Sequence, residues 1–133
     1  VITLDQYFGT KPHTESHKAN ARLLLNTVEM LIEEFPWWTW PVDPDTGTSI
    51  SGSRGGAGDG GFRLPTATTG KTTSAHKEGR AVDVYDPNDE LDTAITDELL
   101  EEHDLYREDP GHTNGWVHLT TRPPGSGKRT YLP

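Results

Sequence analysis

The stretch Ser74-Ala75-His76-Lys77-Glu78-Gly79-Arg80-Ala81-Val82-Asp83 sets an imidazole and a carboxylate on either side of a glycine. Their spacing does not fit one helical face, where ligand pairs stand at i and i+4. It fits a loop or turn carrying His76 that leads, through Gly79, into a strand carrying Asp83. The run Arg80-Ala81-Val82-Asp83-Val84-Tyr85 alternates with a period of two, so Ala81, Asp83 and Tyr85 share one face. Gly115-Trp116-Val117-His118-Leu119-Thr120 reads the same way, with Trp116, His118 and Thr120 on one face and Val117 and Leu119 on the other. Two neighbouring strands would bring Asp83 and His118 to one point, beside His76. Two imidazoles and one carboxylate are the protein ligands of a catalytic Zn2+ site, which keeps one position for water.

Outward from this stretch, the chain reads as an α+β domain spanning 1–133, with a small central antiparallel sheet and helices packed on it. Residues 1–12 read as an irregular arm anchored by Tyr7 and Phe8. From Thr14 to Phe35, the residues Ala21, Leu24, Leu25, Val28, Leu31, Ile32 and Phe35 recur at helical spacing, with Thr14 or Ser16 as cap and Pro36 as the stop. His13 and His17 stand at i and i+4 near its start but lack an acidic partner in register, so they read as solvent-facing. Of the indoles in Trp37-Trp38-Thr39-Trp40, two are expected in the core, and the third is open to either a core or a cleft-wall role. A second helix is expected from Asp92 or Thr93 to about His103.

The glycine-rich stretch from Ile50 to Arg63 is not a phosphate-binding P-loop, since no Gly-Lys-Ser/Thr and no helix follow it. Hydrophobic residues are only 31%, with Gly 14 and Pro 10, so a modest core and extensive loops are expected. A net charge of −9 argues against nucleic acid as a partner, and no stretch is apolar enough for membrane insertion. With no cysteine, neither disulfides nor thiolate metal sites arise. No secretory signal is visible, so the expectation is a monomer made in the cytoplasm.

The matched residues Ser74, His76, Gly79, Ala81 and Asp83, followed by Trp116 and His118, resemble the S-x-H-x-x-G-x-A-x-D and W-x-H motifs of the zinc D-Ala-D-Ala carboxypeptidase and L-Ala-D-Glu peptidase family. That family is related to the hedgehog and lysostaphin-type folds. The direct resemblance covers roughly residues 48–121, and the chain is also similar to compact phage-encoded members. It implies a hedgehog/D-Ala-D-Ala-peptidase-like fold, Zn2+ as cofactor on His76, Asp83 and His118, and peptidoglycan stem peptides as substrate. The setting it implies is cell-wall lysis by a phage enzyme, acting on the wall or periplasm or carried as a virion component.

The resemblance also implies an arginine directed at a substrate carboxylate. Arg63, in Gly61-Phe62-Arg63, is the first choice and Arg54 the second, each with a guanidinium able to grip a carboxylate through two hydrogen bonds. Ser74 would donate to substrate or ligand, or serve only the turn. Many relatives carry an acid three residues before the last histidine as general base, whereas this chain has Gly115 there. Glu108 and Asp109 are the replacements expected first, then His112, then Glu78. Loss of the base defines the alternative reading, a catalytically inactive zinc domain that is structural or binds peptidoglycan.

Overall fold

The computed structural model describes residues 1–52, 60–67 and 74–133. Two helices open the chain. The first, α1 (Leu4–Phe8), replaces the expected irregular arm: Thr3 accepts from the Gln6 N–H while the Gln6 side chain accepts from the Thr3 N–H, a capping box that makes even this short helix stable. Tyr7 and Phe8 are buried.

The second, α2 (Glu15–Ile32), begins at Thr14, where the hydroxyl accepts from the His17 N–H and His17 Nδ1 accepts from the Thr14 N–H. His17 is thus part of the cap, and His13 stacks on Phe8 with ring centroids 3.7 Å apart. The helix stops at Ile32, short of the expected Phe35. Pro36 pushes Phe35 out of the helical region and cannot donate a backbone hydrogen bond, so the last turn closes by shorter bonds from Glu34 to Leu31 and from Phe35 to Ile32. Ala21, Leu24, Leu25, Val28, Leu31 and Ile32 are buried. Trp38 and Trp40 pack half-buried against this core, while Trp37 is 50% exposed.

A turn of 3-10 helix (Ala75–Glu78) leads through Gly79 into β1 (Ala81–Tyr85). The expected second helix is instead two, α3 (Glu90–Ala94) and α4 (Asp97–Glu102). Ile95 between them is extended, and Thr96 caps α4 by accepting from the Leu99 N–H. The Asp86 carboxylate, rather than Asp92 or Thr93, takes the first free N–H groups of α3, from Leu91 and Asp92.

β2 (Tyr106–Glu108), β3 (Trp116–Thr120) and β4 (Thr130–Tyr131) complete a four-stranded sheet in the order β1-β3-β2-β4. It is mixed, not antiparallel throughout. β3 pairs antiparallel with β1 and β2, but β4 runs parallel to β2. The link from Thr121 to Arg129 reverses direction while passing over β2 to its far edge, and a reversal that skips one strand makes the outer pair parallel. Val82, Val84, Val117 and Leu119 face the core with α2, leaving the alternate residues on the other face. The outer edge of β1 is covered by Ser49–Ser51: the Ser51 N–H donates to Asp83 O and the Tyr85 N–H to Ser49 O.

Candidate metal centre

Each of the three candidate ligands is placed by backbone geometry. Gly79 has φ +77°, in the left-handed region, and closes the 3-10 turn by donating to Ala75 O and His76 O. That turn sets His76 beside the start of β1. Antiparallel register places Asp83 directly opposite His118. Gly60 and Gly61 pass too close to neighbouring backbone for any side chain: a Cβ would stand 2.1 Å from Ser51 O and 2.6 Å from Tyr7 O respectively. This approach lets Gly61 O accept from His76 Nδ1 at 2.9 Å, while the Asp83 N–H donates to Gly60 O at 2.7 Å. A proton on His76 Nδ1 leaves Nε2 as the lone-pair nitrogen, directed at the other two ligands.

The three ligand atoms form a small triangle. His76 Nε2 lies 3.3 Å from Asp83 Oδ1 and 3.3 Å from His118 Nδ1, and His118 Nδ1 lies 2.7 Å from Asp83 Oδ1. Ligands held at about 2.0–2.1 Å in tetrahedral geometry stand about 3.3 Å apart, the length of two of these edges. The shorter edge is a hydrogen bond from imidazole to carboxylate. His76 and Asp83 are buried and His118 partly so. Burial holds His76 below its ordinary pKa and therefore neutral, the form that binds a metal. Burial alone would raise Asp83, but the facing His76 and His118 keep it below the usual carboxylate range and ionised. The donor set fits a small divalent ion. Glu34, Glu102 and His103 also lie close enough together, but both glutamates are exposed at the surface.

The triangle lines a cavity of about 540 Å3, together with Arg63, Ser74, Glu108, Thr120, Arg122 and Tyr131, and with Pro123 to Gly125 and the last residues. Glu108 is the acid that the fold brings here. The β2–β3 register pairs Tyr106 with Thr120 and Arg107 with Leu119, and its next step sets Glu108 against His118. Asp83, His118 and Glu108 therefore form a row across three strands on one face. Asp109 and His112 do not line the cavity. The Asp109 carboxylate accepts from the Gly111 N–H to cap a short turn (Pro110–His112), and His112 is exposed. Glu78 pairs with Arg122 at 3.0 Å and Arg80 at 3.9 Å, outside the cavity lining.

Arg63 is 5% exposed and lies 3.6 Å from Asp83 Oδ2, on the side of the carboxylate away from the imidazoles. Ser74 lines the cavity and accepts from the His76 N–H at 3.3 Å, so it caps the ligand turn. Arg54 falls outside the described residues. Gly115 precedes β3 at φ +91° and donates to Asp89 Oδ1. Sequence reasoning missed Arg122 and Tyr131 as cavity residues, and Gly61 O as the group that fixes the His76 tautomer. Thr120 was already legible on the His118 face.

No protein-family model, curated protein or solved structure matches the chain in comparison with known proteins.

Proposed function

We propose that this protein is a zinc-dependent peptidase that cleaves peptidoglycan stem peptides, with the hedgehog/D-Ala-D-Ala-peptidase-like fold its motifs resemble. The observation that carries this reading is the His76, Asp83 and His118 triangle with Glu108 in the same row, all four lining one cavity. Two nitrogens and one carboxylate oxygen suit Zn2+, and all three ligand residues line the cavity. Bound there, Zn2+ supplies Lewis acidity and lowers the pKa of a water toward about 7.

The chain's own residues do the rest. Glu108 takes a proton from the attacking water and returns it to the leaving amine nitrogen, the task for which Gly115 has no side chain. Arg63 holds the outer oxygen of Asp83 and lines the substrate space. Arg63, beside Asp83, and Arg122, paired with Glu78, both line the cavity and are the groups that would meet a substrate carboxylate. The setting that the resemblance implies is wall lysis by a phage enzyme or virion component.

The test is zinc content together with release of new amino groups from purified peptidoglycan. Wild type should carry about one zinc per chain and release amines. His118→Ala should lose both. Glu108→Gln should keep zinc and lose about 10²–10⁴-fold in rate. Zinc without release in the wild type would replace this reading with the inactive, wall-binding domain.

A further inference from the structure

β4 brings one more residue to the row. Glu108 and Tyr131 are register partners in the parallel pair, so Asp83, His118, Glu108 and Tyr131 come one from each strand, and all four line the cavity. The Tyr131 ring meets the His118 ring edge-on, with centroids 6.4 Å apart. Its backbone is firmly held. The Asp109 N–H donates to Tyr131 O at 2.7 Å and the Arg107 N–H to Arg129 O at 2.8 Å. The Thr130 hydroxyl donates to Asp97 Oδ1 at 2.6 Å and accepts from Arg107 Nε at 3.0 Å. None of these bonds uses the phenol hydroxyl, which has no hydrogen-bond partner among the described residues. A phenol keeps its proton at neutral pH, so the group is an O–H donor.

We propose that Tyr131 is a catalytic residue whose hydroxyl donates a hydrogen bond to the oxyanion developing on the scissile carbonyl. This rests on the peptidase reading. As the water oxygen bonds to the carbonyl carbon, the carbonyl π pair moves onto its oxygen and one water proton moves to Glu108. When that pair returns, the C–N bond breaks and the proton on Glu108 passes to the amine nitrogen. Tyr131 keeps its own proton throughout. A donor fixed on a strand that lines the same cavity needs no reorganisation as charge develops, which is where electrostatic stabilisation is most effective. A residue at the cavity mouth would serve ground-state binding instead.

The experiment is Tyr131→Phe, which keeps the ring, on zinc-loaded protein. On peptidoglycan, kcat should fall about 10²-fold, with KM, zinc content and melting temperature unchanged. An unchanged kcat, or a loss confined to KM, overturns the assignment. A second probe does not depend on turnover: a phosphinate isostere of an Ala-Ala peptide, whose tetrahedral anion imitates the oxyanion. The variant should bind it at least about tenfold more weakly while binding the planar parent peptide as wild type does. If wild type cleaves nothing yet shows this difference, the peptidase reading and the catalytic role of Tyr131 fall together, and only its donor contact to a tetrahedral anion stands. Equal phosphinate affinity, or none in either protein, overturns the donor role.

Discussion

Gly79 shows how closely the metal motif depends on single atoms. Its φ of +77° lies where other residues are strained, and a Cβ there would stand 2.7 Å from His17 O. The turn places His76, and His17 belongs to the α2 cap, so a methyl group would push two elements apart. Gly79→Ala should cost about 1–3 kcal/mol from the backbone strain alone, read as a lower urea midpoint, and should weaken zinc retention. An unchanged midpoint would mean the turn relaxes freely and the glycine is not required. At this scale the sequence is legible where side chains carry the chemistry. His76, Asp83 and His118 announce themselves by type and by the period-two pattern around them. The carbonyl of Gly61, which sets the His76 tautomer, has no mark in the sequence because every residue has one. His17 shows the converse: its imidazole invites a metal reading, but its Nδ1 is already used by the Thr14 N–H.

Elements decide which of the candidate acids reaches the site. Glu108 and Asp109 are adjacent and alike in sequence, yet one lies in β2 and the other caps the turn after it. The register that separates them is a tertiary property, and so is the parallel pairing that delivers Tyr131. Neither is written in the local pattern of a two- or three-residue strand. Likewise, a continuous acidic helix was expected where Thr96 begins a new one. Behind the site, β2 is tied to α3 by Arg107, whose Nη1 donates to Asp92 O at 2.6 Å and Asp92 Oδ1 at 3.0 Å. Thr113 donates to Asp92 Oδ2, and Asp86 also faces this buried group. Burial raises Asp92 to about 6, against the pull of Arg107. A carboxyl raised in the folded state resists charging there, so its contribution to stability is present below about pH 4 and lost as pH rises through 6. Asp92→Asn removes that loss. Between pH 4 and 7 its stability relative to wild type should improve by at most ~3 kcal/mol, measured by urea unfolding at each pH. Parallel profiles would show that Arg107 offsets the burial in full.

The molecule as a whole separates what holds it together from what it uses. Its hydrophobic cluster runs from Ile2 through α2 and the core face of the sheet to Leu119, and contains none of the three candidate ligands. Those residues also have partners within the protein: His76 donates to Gly61 O, and His118 donates to Asp83 at 2.7 Å. A buried carboxylate with no such partners would strongly destabilise the chain, because an ionised group in a protein interior must be paired. The metal-free protein should therefore stay folded, unlike small domains whose core is the metal site itself. An ion that binds only the folded state still adds stability by mass action, about 2.7 kcal/mol when its free concentration is a hundred times its Kd. Chelation should accordingly lower the melting temperature by several degrees while leaving the far-ultraviolet circular dichroism intact, and zinc should restore the original value. His118→Ala should melt at one temperature with or without chelator. Loss of secondary structure on chelation would mean that the cluster around α2 cannot sustain the sheet alone. An unmoved wild-type melting temperature would mean that the triangle shares a proton and holds no metal, and the proposed chemistry would fall with it.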